Sequence, residues 1–122
     1  MLTSVPLTKE TTHFIAKEEF EILSKRKAFL ANISRGDIVK QSDLVDALKN
    51  GSLRGAALDV ASPEPLPSDD PLWDAPNVTI TPHISGNSAN YWERAVQVLE
   101  ANLERRESGK ELINLVDRKR GY

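Results

Sequence analysis

The chain contains no cysteine. Disulfide cross-links and thiolate chemistry are therefore excluded. Histidine is almost as scarce: there are two, His13 and His83, far apart and without the paired spacing of a structural zinc site, so no metal is expected. Neither sign of charge dominates. The net charge is −2 over 122 residues and the pI is near 5.7, which leaves no basic footprint for nucleic acid. No apolar run approaches the length of a membrane-spanning helix, and the N-terminus lacks the basic flank and apolar core of a signal peptide. The expectation from these absences is a cytoplasmic protein with neither nucleic-acid nor membrane partners.

What is present describes one globular domain's worth of chain. Hydrophobic residues make up 39% and charged residues 28%, enough apolar side chain to build a core. LTSV at 2–5 reads as a short strand stopped by Pro6. A helix follows, with Ile15, Phe20 and Leu23 set among charges and Thr11 or Thr12 as its cap. AFLANIS at 28–34 is a nearly continuous apolar run of strand length, a pattern that suits burial on both faces. SDLVDALKNG at 42–51 is a short helix with Ser42 as N-cap and Gly51 where a C-terminal glycine belongs. LRGAALDV at 53–60 is a second buried-type strand. Residues 61–76 hold five of the seven prolines and form a loop. VTIT at 78–81 is another strand. From about Asn87 to Ser108 a long helix carries Trp92, Val96, Leu99 and Leu103 on one face. LINLV at 112–116 reads as a further short extended piece, and 117–122 as a basic, solvated tail.

Strands alternate with helices, and the strands are apolar runs. That is the pattern of an α/β fold, a parallel sheet with helices on its faces. In such sheets ligands bind at the C-terminal ends of the strands. Here the strand ends carry conspicuous polar residues. Arg35 follows NIS, Asp59 follows GAAL, and His83 follows VTITP. Glu64 lies in a loop stiffened by Pro63 and Pro65. If the strands are neighbours, these four side chains converge on one rim.

Each residue alone has an ordinary reading. A histidine after a strand is usually a loop residue, an arginine before glycine a turn residue, and a PEP sequence a rigid acidic loop. Asp59 is more telling, because a carboxylate in an apolar run needs a partner. Together the four suit reduction of a 2-keto acid. Arginine grips the carboxylate, histidine delivers a proton, glutamate supports the histidine, and a cofactor brings the hydride.

Four stretches in order, VPLTKET, NISRGDIV, GAALDVASPEPLP and NVTITPHISG, resemble the C-terminal half of the nucleotide-binding domain of the D-isomer-specific 2-hydroxyacid dehydrogenases. That family includes glyoxylate and hydroxypyruvate reductases. The resemblance runs from about Leu2 to Val116, so it implies that residues 1–116 form a partial NAD(P)-binding domain, a Rossmann-type doubly wound parallel sheet of about its last four strands with a long C-terminal helix. It implies that Arg35 binds substrate and assists catalysis, that Glu64 pairs with the histidine, and that His83 donates and accepts the proton. It implies that Asp59 meets the nicotinamide carboxamide and that Val5, Pro6 and Thr11 flank the adenosine side. Ile33, Ser34, Ser85 and Gly86, with Arg35 and His83, are implied to line the nicotinamide pocket. The implied cofactor is NAD or NADP, and the implied substrate a small 2-keto or 2-hydroxy acid such as glyoxylate or hydroxypyruvate. The complete protein is implied to be a homodimer.

No G-x-G-x-x-G diphosphate turn occurs in the chain. The family places that turn, and most of its substrate domain, upstream of the point matching Met1. The expectation is a truncated part of a longer oxidoreductase that carries the Arg/Glu/His site. By itself it would lack the diphosphate cradle and the opposite wall that excludes water. Two other readings stay open: a non-enzymatic dimerisation or corepressor-like module of the same fold, and an inactive remnant.

Overall fold

The computed structural model describes residues 1–120, so the last two residues of the expected basic tail lie outside it. The order of elements is β1 (Leu2–Thr3), α1 (Lys17–Ser24), β2 (Phe29–Asn32), a 3₁₀ turn (Gly36–Ile38), α2 (Gln41–Lys49), β3 (Gly55–Leu58), β4 (Val78–Ile80) and α3 (Tyr91–Glu107). The four strands form one parallel sheet in the order β1-β2-β3-β4. Every connection returns to the adjacent strand, so all the C-terminal strand ends fall on one rim. The backbone ladder runs one step past the strands there. Asp59 N–H donates to the Asn32 carbonyl, and Thr81 N–H to the Leu58 carbonyl.

The described residues divide into two units, the first ending at Ser85 and the second beginning at Gly86. The core of the first joins Leu30, Ala56 and Leu58 of the sheet to Phe20 of α1 and Leu44, Val45, Ala47 and Leu48 of α2. Leu30 and Ala56 are fully enclosed. The expectation that the strands are buried on both faces does not hold for β2 and β4. In β2 the side chains alternate: Leu30 and Asn32 face the core, while Phe29 stays exposed. Val78 and Ile80 of β4 are only half-buried. The apolar run therefore overstates burial, because α1 and α2 pack one face of the strands.

Helix starts also differ from expectation. Thr8, Thr11 and Thr12 fold into a turn of their own, where Thr11 Oγ1 accepts from Thr8 N–H and donates to the Pro6 carbonyl. α1 begins later, and Asp43 of α2 accepts from Lys17 N–H at 3.0 Å. Glu19 accepts from Ala16 N–H in the capping-box manner. α2 begins at Gln41, with Lys40 at the cap position, so Ser42 lies inside the helix and its hydroxyl binds Asp43. The C-terminal end matches the expectation, since Gly51 follows α2 with φ +72°.

In the second unit α3 is shorter than expected, and Trp92, Val96, Leu99 and Leu103 are all exposed. LINLV is not a strand. Ile113 and Asn114 form a turn that exchanges two hydrogen bonds with the Asn102 side chain, which satisfies the backbone locally. Among the described residues, no helix is long and apolar enough to cross a membrane.

Candidate active site

The rim is built around two buried polar side chains at strand ends. Asp59 follows β3 and is 5% exposed. Its Oδ1 accepts from the Thr81 hydroxyl at 2.5 Å and from Ile84 N–H at 2.9 Å, and its Oδ2 accepts from Ser85 N–H at 2.8 Å. Burial by itself raises the Asp59 pKa. The donors from Ser85, Thr81 and Ile84 outweigh it, and the carboxyl sits well below its ordinary range. The loop after β4 is thus wound onto a buried anion.

Within that loop His83 adopts φ +54°, the left-handed region. For a non-glycine residue this costs about 1–3 kcal/mol and persists only where surrounding bonds impose it. The Asp59 bonds to Thr81, Ile84 and Ser85 supply that constraint on both sides of His83. The result turns the imidazole toward the Pro63–Pro65 loop, where His83 Nδ1 lies 2.8 Å from Glu64 Oε2. The second carboxylate oxygen, Oε1, accepts from Ala61 N–H at 2.9 Å. That backbone bond and the His83 contact hold the Glu64 pKa below its usual value, with a further contribution from the Arg35 charge.

Arg35 follows β2 by three residues. Its backbone is extended and its side chain exposed, with Nη1 donating to the Ser34 carbonyl at 2.7 Å. Ser34 beside it is buried, and Ile33 is exposed. Ser34 and Arg35 belong to a network centred on Asn32, which the residue pattern did not single out. Asn32 is 1% exposed. Its Oδ1 accepts from Thr3 Oγ1, Ser34 N–H and Ser34 Oγ, and its Nδ2 donates to the Arg35 carbonyl.

The structure brings Glu64 and His83 into contact, sets Asp59 beneath the His83 loop through Ser85, and leaves Arg35 on the neighbouring strand end. Val5 and Pro6 are exposed beyond β1, and Thr11 is tied to Pro6 rather than to the Glu64–His83 pair. Gly86 opens the second unit. A cavity of about 600 Å³ adjoins the pair, walled by Val60, Pro65, Leu66, Trp73, Ile80 and Pro82. Trp73, whose Nε1 donates to the Pro67 carbonyl, was not expected here. The only hint in the sequence is its place at the end of the proline-rich loop. A larger cavity, about 720 Å³ between α1 and α2, contains none of the rim residues.

Comparison with known proteins agrees with this architecture. Residues 1–85 match the NAD binding domain of the family described as D-isomer specific 2-hydroxyacid dehydrogenase. A Corynebacterium melassecola protein encoded in the proB 3′ region is 40% identical over 97% of this chain, and the chain spans 38% of its length. The D-isomer specific 2-hydroxyacid dehydrogenase of Xanthobacter autotrophicus Py2, solved with NADPH and MES, is 36% identical with a TM-score of 0.88. That match covers 99% of this chain and 49% of the other. An NADPH-dependent glyoxylate/hydroxypyruvate reductase from Sinorhizobium meliloti, solved with NADP and sulfate, is 34% identical with a TM-score of 0.88, over 99% of this chain and 39% of that one. The chain belongs to the D-isomer specific 2-hydroxyacid dehydrogenase family.

Proposed function

We propose that this chain supplies the arginine and histidine side of the catalytic cleft in an NAD(P)-dependent oxidoreductase that interconverts a 2-keto acid and a D-2-hydroxy acid. The observation that carries the proposal is the 2.8 Å contact between His83 Nδ1 and Glu64, on the rim where ligands of parallel sheets bind. With Nδ1–H donated to the carboxylate, Nε2 is the ring nitrogen left to exchange a proton with substrate. Glu64 orients the ring and complements the imidazolium charge. Arg35 offers a planar fork for the substrate carboxylate and a positive charge beside the carbonyl oxygen on which negative charge develops.

The rim residues fit the nicotinamide end of the cofactor. Ile33 presents exposed apolar surface at the end of β2, and Asp59 Oδ2 accepts one hydrogen bond, leaving acceptor capacity for a carboxamide. When bound, the nicotinamide supplies or takes the hydride. Ile33, Ser34, Asp59 and Ser85 would hold that end. The NADPH and NADP in the Xanthobacter and Sinorhizobium structures, and the glyoxylate/hydroxypyruvate activity named for the latter, support this choice of cofactor and substrate class.

The test is glyoxylate- and hydroxypyruvate-dependent oxidation of NADPH and NADH by the protein expressed from its native locus. His83→Ala should lower kcat by roughly 10²–10⁴-fold with cofactor affinity retained. Wild-type kinetics in that variant would overturn the assignment. A second reading, a non-enzymatic interaction module, is favoured by the exposed Trp92, Val96, Leu99 and Leu103 stripe. A stable dimer by light scattering with no turnover would support it instead.

A further inference from the structure

Position 32 is an inward-facing site in β2, on the same face as Leu30. The core would be served there by an aliphatic side chain. A buried amide costs free energy unless it is hydrogen-bonded, and here both its oxygen and its nitrogen are bonded to the segment that carries Arg35. The carbonyl oxygen gathers the Thr3 hydroxyl at 2.8 Å, Ser34 N–H at 3.0 Å and the Ser34 hydroxyl at 2.7 Å. The amide nitrogen grips the Arg35 carbonyl at 3.0 Å. One planar group thus fixes the backbone on both sides of residue 35.

The outer side is fixed as well. A Cβ on Gly36 would lie 2.0 Å from the Ala61 carbonyl oxygen, so the chain after Arg35 is pressed against the segment leading to Glu64. Ala61 in turn donates its N–H to Glu64. Arg35 and Glu64 therefore hang from one shared backbone frame, although the arginine side chain itself is exposed.

We propose that Asn32 is the positioning residue for Arg35: by holding the Arg35 carbonyl it sets the direction of the guanidinium fork toward the substrate carboxylate. The proposal rests on the role given to Arg35 above. It predicts a division between the two ends of the amide. Asn32→Asp keeps the acceptor oxygen and loses the donor to Arg35. Thr3→Val removes one bond to the acceptor and leaves the donor in place.

Two readouts on the protein expressed from its native locus decide it. In Asn32→Asp the KM for the 2-keto acid should rise about tenfold, with cofactor Kd within twofold of wild type, and exchange of the Ile38 amide should quicken about tenfold while that of Ser34, whose acceptor is kept, should not. The Ile38 N–H donates to the Arg35 carbonyl and reports its release. Thr3→Val should leave KM unchanged. If Asn32→Asp does not fold, Asn32→Ser, neutral but too short to reach Arg35, should show the same KM rise. Equal KM changes in the Asn32 and Thr3 variants, or no change in either, overturn the proposal. If Arg35→Lys leaves KM unchanged, the substrate role of Arg35 has failed. Amide exchange then decides the clamp by itself: quickened exchange sustains it and wild-type exchange ends it.

Discussion

The two halves of the rim are anchored by side chains of similar shape and opposite electrical character. On the β3–β4 side an ionised Asp59 collects a hydroxyl and two backbone N–H groups, and holds His83 in a strained conformation. On the β1–β2 side a neutral Asn32 both accepts and donates, and Arg35 is left extended and unstrained. Hydrogen bonds to a charged acceptor are roughly twice as strong as neutral ones. The stronger anchor sits where backbone strain has to be offset. The neutral anchor sits where only direction is needed, beside a cation whose field an added carboxylate would alter.

Removing the charged anchor should have the largest effect. Asp59→Ala removes three hydrogen bonds to a buried, charged acceptor, each worth about 1.5–3 kcal/mol, so a loss of at least about 3 kcal/mol is expected in urea denaturation followed by circular dichroism. A loss below 1 kcal/mol would dissolve the distinction between the halves. The same contrast should be visible against pH. The Asp59 pKa is depressed in the folded chain, so below the ordinary aspartate value of about 3.9 the unfolded state binds more protons and stability falls as pH falls. Asp59→Asn should flatten that acid limb, whereas Thr3→Val, which perturbs the neutral anchor, should leave its slope intact. Gly36→Ala comes next. The clash with the Ala61 carbonyl should cost about 1–3 kcal/mol as an overpacking defect, read from the same denaturation curves. Ser42→Ala should be the smallest, under about 0.5 kcal/mol. A true N-cap would cost about 1 kcal/mol, so the value separates an interior serine from a capping one.

The parallel sheet was legible because its strands are short apolar runs joined through helices, and because polar residues punctuate their ends. The convergence of Glu64 and His83 was legible from the rule that strand ends share a rim, and their pairing from the family resemblance of the SPEP and TPHISG motifs. Asn32 was not, since an amide at the end of an apolar run reads as a strand terminator until its four partners are seen. Asp43 as the acceptor for Lys17 N–H was invisible for a different reason. The two residues are 26 positions apart, and local pattern put the cap on the nearer threonines, which instead satisfied one another in a turn. Trp73 and Gly36 matter through neighbours brought in by folding, which no periodicity records.

The left-handed backbone at His83 has a consequence for how this protein could change over generations. Few side chains accept that conformation, and asparagine is foremost among them. Histidine and asparagine codons differ at a single base. One nucleotide change can therefore remove the imidazole while leaving the loop, the Asp59 anchor and the sheet undisturbed. In this fold the imidazole is easier to lose than the architecture, and a lineage that needed only the scaffold would have a short mutational path to it.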